Sequence, residues 1–212
     1  MAGRSTLLCK VCGMTDTDNI LAVSALQPDL VGFIFYRESK RYVGETFTVP
    51  KGLPTTIGKV GVFVNQHVED ILSLVRRYEL QYVQLHGDEL PGQCTFLKER
   101  GCKVIKAFGV GDGFSFATTQ PYRDHVHWFL FDTKTSGYGG SGRKFDWSML
   151  KAYDQSVPFL ISGGIGPGEL DGLDALYGMN LVGIDMNSGV ESSPGIKDIA
   201  KVNEVIKKIR SI

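Results

Sequence analysis

The run Leu7-Leu8-Cys9-Lys10-Val11-Cys12-Gly13-Met14-Thr15-Asp16 sets the choice of architecture. Its first half is rich in β-forming residues, and its second half is the turn leading into a helical segment. An open doubly wound sheet usually carries G-x-G-x-x-G in this first turn. Here the turn reads Cys12-Gly13-Met14-Thr15-Asp16. Comparable runs follow at Leu30–Phe35, Lys59–Val64, Tyr82–Leu85, Lys103–Phe108, Trp128–Phe131, Phe159–Ser162 and Leu181–Asp185, with starts 21 to 31 residues apart. Such spacing leaves room for the crossover that parallel strands require. Several runs are apolar on both faces, as expected when helices cover a sheet. Eight βα units without a dinucleotide turn favour an α/β fold of the closed (β/α)8 TIM-barrel type. No linker or composition break divides the chain, so residues 1–212 are expected to form a single barrel domain.

The connectors differ in quality. Thr15-x-x-Asp18 resembles a capping box ahead of Ile20 and Leu21. Val68, Ile71, Leu72, Val75 and Tyr78 form a helical stripe, as do Ile199, Val202, Ile206 and Ile209 within the last segment, Pro194 to Ile212. Glu45–Ile57, with two prolines and four threonines, and Gly109–Pro121, with three glycines, predict short or irregular second and fifth helices.

Composition narrows the function. The chain has 23 Lys and Arg against 23 Asp and Glu. That balance argues against nucleic-acid binding, which needs a surplus of cations. The apolar runs fall far short of the ~20 residues of a membrane helix, and no signal peptide is visible, so a cytoplasmic protein is expected. The four cysteines show no secreted-scaffold pattern. Glycine is over-represented, at 26 of 212 residues.

In a barrel, chemistry belongs to the C-terminal ends of the strands. Lys10 and Cys12 share the inward face of the first strand, and the nearby lysine predicts a thiol of depressed pKa able to act as a base; the alternative is a small core cysteine. Asp132 closes an otherwise apolar run, and Asp185 closes the eighth. Carboxylates shielded by barrel walls have raised pKa values and serve as acids. His86 follows the fourth strand, and Ser39-Lys40-Arg41-Tyr42 brings cations beside the mouth. Glycines crowd the last three loops, in Gly137-Tyr138-Gly139-Gly140-Ser141-Gly142, Ser162-Gly163-Gly164 and Asn187-Ser188-Gly189. There backbone amides can approach an anion closely. Gly137-x-x-x-x-Gly142-Arg143-Lys144 departs from a P-loop in its last two residues. His125-Val126-His127 opens its strand, on the face away from chemistry, so no metal site is expected.

Taken in order, these segments resemble the phosphoribosylanthranilate isomerase family. The resemblance is carried by Lys10-Val11-Cys12-Gly13-Met14-Thr15, Val31-Gly32-Phe33-Ile34-Phe35-Tyr36, Val60-Gly61-Val62-Phe63-Val64-Asn65 and Val83-Gln84-Leu85-His86-Gly87-Asp88-Glu89. It continues through Phe131-Asp132-Thr133-Lys134-Thr135, Phe145-Asp146-Trp147, Ser162-Gly163-Gly164 and Ser188-Gly189-Val190-Glu191. It implies a cofactor-free Amadori rearrangement of a phosphosugar–anthranilate substrate, with Asp132 as general acid and Cys12 as general base. Arg41 would pair with the anthranilate carboxylate, and His86 and Asp185 would contact substrate. Gly140, Gly142, Gly163, Gly164, Ser188 and Gly189 would hold the phosphate. Neither nucleic acid nor membrane is an implied partner, and a monomer or homodimer is expected. Lys134, if close to Asp132, would weaken that acid. Asn187 and Arg143 stand where the family often has serine and lysine. The histidine-pathway isomerase on the same fold has an aspartate at the position of Cys12, and a non-catalytic phosphosugar-binding barrel would have no use for both Cys12 and Asp132.

Overall fold

The computed structural model describes residues 7–133 and 146–211. Eight parallel strands close into a barrel in sequence order: β1 (Leu8–Val11), β2 (Leu30–Ile34), β3 (Gly58–Phe63), β4 (Tyr82–Leu85), β5 (Lys103–Val110), β6 (Trp128–Thr133), β7 (Phe159–Ile161) and β8 (Leu181–Met186). Closure comes from β1 pairing with β8, in a register that sets Lys10 beside Asp185. The sixth strand runs two residues beyond the expected Phe131, so Asp132 is part of the ladder, paired with Gly109 of β5.

Alternation along the strands separates two cores. Outward-facing Cys9, Val11, Phe33, Phe63, Leu85, Phe129 and Phe131 belong to the larger cluster beneath the connecting segments. Leu30, Val60, Ile105, Ala107, Leu130 and Leu160 plug the barrel interior. On β1, β4 and β8, buried Lys10, Gln84 and Asp185 stand in contrast to this apolar plug.

Among the described residues, the α-helices are α1 (Thr17–Ser24), α2 (Val68–Tyr78), α3 (Pro91–Glu99) and α4 (Ile199–Arg210). The second connector, where a short or irregular helix was expected, holds no helix. Phe47 covers the strands in its place, with its ring 5.0 Å from Phe33 and 5.6 Å from Tyr78. The fifth connector is a 3-10 segment, Phe116–Tyr122, interrupted by Pro121. Short 3-10 segments also follow β6 (Trp147–Ala152) and β7 (Leu173–Leu176), so the irregularity is wider than the sequence suggested. Gly166, Pro167, Gly168 and Gly172 leave the seventh connector poorly suited to an α-helix. Asp16, rather than Thr15, caps α1 by accepting from Asn19 N at 2.8 Å, while the Thr15 hydroxyl donates to Gly195 O. Residues ahead of α4 form a small hairpin, β9 (Glu191–Ser193) and β10 (Ile196–Lys197), instead of extending the helix.

Candidate active site

The C-terminal mouth of the barrel gathers Cys12, Arg41, His86, Asp132, Ser162 and Asp185, with Asn187 at its edge. These side chains come from β1, the loop after β2, and the ends of β4, β6, β7 and β8. Strand closure alone makes them neighbours.

Cys12 follows the last residue of β1, where its N–H donates to Met186 O at 2.9 Å. It is 3% exposed. Burial pushes the thiol pKa up, and Asp185 adds to this, while Lys10 and Lys197 act in the opposite direction without overcoming it. The depressed thiol inferred from a neighbouring lysine is therefore corrected: desolvation in the closed barrel outweighs the cation.

Beneath the thiol, Lys10 Nζ pairs with Asp185 Oδ2 at 2.8 Å, with the two side chains 0% and 4% exposed. Burial pushes the Asp185 carboxyl up even though Lys10 opposes it. Burial acts to lower the Lys10 pKa, but Asp185 and Cys12 outweigh it and the net direction is up. Asp185 Oδ1 is buried without a hydrogen-bond partner among the described residues.

Asp132 stands across the mouth. Its Oδ1 accepts from Thr133 N at 2.8 Å, and its Oδ2 lies 3.4 Å from His86 Nε2. His86 Nδ1 in turn lies 2.8 Å from Gln84 Nε2. The loop carrying His86 is clamped by a buried pair, Lys106 and Glu89, 3.1 Å apart. Lys106 donates to the carbonyls of Leu85 and Gly87, while Glu89 accepts from Gly87 N and Asn65 N.

Arg41 forms a two-pronged pair with Glu191, Nε to Oε1 at 2.8 Å and Nη2 to Oε2 at 2.6 Å. Lys197 Nζ reaches the same carboxylate at 2.7 Å and Asn187 Oδ1 at 2.7 Å. Burial raises the Glu191 pKa, but the bonds from Arg41, Lys197 and Gly195 N outweigh it and hold the carboxyl below its ordinary value. Gly13, at φ +74°, is needed here, because a Cβ would stand 2.7 Å from both Arg41 Cδ and Asn187 Oδ1.

The glycines after β7 and β8 allow backbone to pack on backbone. A Cβ on Gly163, at φ +97°, would lie 2.1 Å from Thr133 Oγ1, and one on Gly189 would lie 2.2 Å from Ile165 O. Ser188 opens a 3-10 turn, Ser188–Val190, and Gly164 has φ +67°. Gly140, Gly142, Lys134 and Arg143 lie outside the described residues. His125 and His127 face different partners, Thr95 Oγ1 at 2.7 Å and Val104 N at 3.1 Å.

Residues 9–208 match the family model described as N-(5'phosphoribosyl)anthranilate (PRA) isomerase. A relative of that name from Parabacteroides distasonis is 43% identical over 206 residues, covering 96% of this chain and 93% of its own. The chain belongs to the N-(5'-phosphoribosyl)anthranilate isomerase family. A crystal structure of a Thermotoga maritima phosphoribosyl anthranilate isomerase is 36% identical, with TM-score 0.84, over 97% of this chain and all of that one. Another solved isomerase, in complex with reduced 1-(o-carboxyphenylamino)-1-deoxyribulose 5-phosphate, is 32% identical with TM-score 0.80, again over 97% of this chain and all of its own.

Within this isomerase framework, sequence reasoning missed Gln84 and Lys197. Gln84 left a signal, as a polar residue on the same inward face as His86, two positions on. Lys197 left none, since it reaches the mouth through a hairpin that only tertiary packing reveals.

Proposed function

We propose that this barrel catalyses the Amadori rearrangement of N-(5-phospho-β-D-ribosyl)anthranilate to 1-(2-carboxyphenylamino)-1-deoxy-D-ribulose 5-phosphate, a step of tryptophan biosynthesis. The observation that carries the reading is the shared mouth, with Cys12 on one wall and Asp132 on the other. Asp132 gives a proton to the ribose ring oxygen as the C1–O bond breaks and the anthranilate nitrogen lone pair forms the C1=N bond. Cys12 then takes the proton from C2, and the electron pair moves into C1=C2 and back onto nitrogen. The resulting enolamine gains a proton at C1 and loses one from its hydroxyl to become the ketone. Two separate groups suit this chemistry because one must begin protonated and the other must accept a proton.

His86, with Nε2 3.4 Å from Asp132 Oδ2, supports the Asp132 carboxylate left after proton donation. Asp185 offers to a substrate hydroxyl its Oδ1, which has no hydrogen-bond partner among the described residues. Around Arg41, two cations share one carboxylate, leaving net positive charge for the anthranilate carboxylate. Gly163, Gly164, Ser188 and Gly189 serve the phosphate, in the loops after β7 and β8 where barrels commonly bind one, and Gly140 and Gly142 take the same role on the family resemblance alone. No cofactor enters this scheme.

Cys12→Ala and Asp132→Asn are each expected to lower kcat on phosphoribosylanthranilate by roughly 100-fold or more, with the far-ultraviolet circular dichroism unchanged. Near-normal turnover in either folded variant overturns the corresponding acid or base assignment.

A further inference from the structure

The mechanism asks a buried thiol to lose a proton, and the structure holds a fully buried ammonium directly below it. We infer that Lys10 holds one negative charge that Cys12 and Asp185 share, so that the Cys12 thiolate forms only as Asp185 takes up a proton. The inference rests on the reading of Cys12 as the base and adds how that base comes to be ionised.

Three observations support it. The β1–β8 register places Lys10 beside Asp185, and alternation places Cys12 one inward step above Lys10. Lys10 is 0% exposed and its Nζ lies 2.8 Å from Asp185, while Cys12 above it is 3% exposed. Leucine or valine would extend the apolar plug below without the cost of desolvating a charge, so a buried lysine here has a chemical use as its simplest explanation.

Charge balance explains the sharing. With Lys10 protonated and one of the two acids ionised, the buried unit is neutral. Ionising both would leave an unpaired negative charge in a low-dielectric interior, which is strongly disfavoured. Moving the proton from Cys12 to Asp185 keeps the unit neutral: the S–H bond breaks, an O–H bond forms on Asp185, and the ammonium turns its main contact from carboxylate to thiolate. The remaining charged groups facing the thiol are already engaged. Lys197 and Arg41 are paired through Glu191, while Asp132 and His86 face each other across the mouth.

The test follows the pH dependence of Cys12 alkylation by iodoacetamide, with the modified peptide quantified by mass spectrometry. Asp185→Asn should assign the whole charge to Cys12 and move the alkylation midpoint down by about one pH unit or more. Lys10→Met should move it up by a similar amount. If Lys10→Met fails to fold because Asp185 is left unpaired, the double variant Lys10→Met/Asp185→Asn removes both charges beneath the thiol and should show the same upward shift. An unchanged or raised midpoint in Asp185→Asn, or a wild-type midpoint in a folded variant lacking Lys10, overturns the inference. These readouts do not use turnover. Active Cys12→Ala protein would therefore defeat the catalytic-base reading while the alkylation shifts still reported on the charge unit.

Discussion

Gly32 makes the position of Cys12 possible. A Cβ at Gly32 would stand 2.7 Å from Cys12 Sγ and 3.1 Å from its Cα, so any side chain there drives the thiol and its backbone aside. Misplacing a reacting group by about 1 Å can cost on the order of 100-fold in rate. Gly32→Ala is therefore expected to lower kcat at least about tenfold while leaving KM for phosphoribosylanthranilate nearly unchanged, in steady-state assays on protein of normal circular dichroism. At this scale the sequence was informative about identity and less so about environment. Cys12 was legible as an inward residue, and Asp132, His86 and Asp185 as residues closing or following their strands. The direction of the Cys12 pKa was not, because it depends on how completely the surrounding strands exclude water.

The β9–β10 hairpin links β8 to the loop after β2 through Glu191. Because its bonds hold the Glu191 carboxyl below the ordinary value near 4.3, its contribution to stability is complete above that value and is lost as pH falls through the depressed one. Thermal unfolding followed between pH 5 and pH 3 should therefore show a steeper fall in Tm for the wild type than for Glu191→Gln, which has no such proton to take up. Parallel slopes would mean that the pairing adds nothing to stability. Among the elements, α2 and α4 were readable from their apolar stripes, and the poor helix formers in the second and fifth connectors were visible too. The absence of any helix in the second connector was not, since Phe47 replaces it through contacts with Phe33 and Tyr78, both distant in sequence. The hairpin was hidden for the same reason.

The whole barrel also acts on its cysteines. Burial pushes Cys9 up to about 12 and Cys94 up to about 11. An unfolded chain releases these protons near 8.5, so the folded state keeps its full advantage below that pH and loses it as pH rises toward the folded values. Tm should accordingly drop between pH 8.5 and pH 10.5, and a Cys9→Ala/Cys94→Ala variant should show a flatter decline; equal declines would assign the alkaline loss to other groups. By itself, the sequence determined the eight-strand alternation, the barrel and the inward facing of Lys10 and Cys12, because strand periodicity and βα spacing are local properties of the chain. Only the tertiary structure decided the partners: Lys10 against Asp185, His86 against Asp132, and Arg41 with Lys197 on Glu191. Those contacts join residues from 46 to 175 positions apart, apart from Lys197 and Glu191. They depend on barrel closure and on the desolvation it imposes, and neither is encoded in any single stretch of chain.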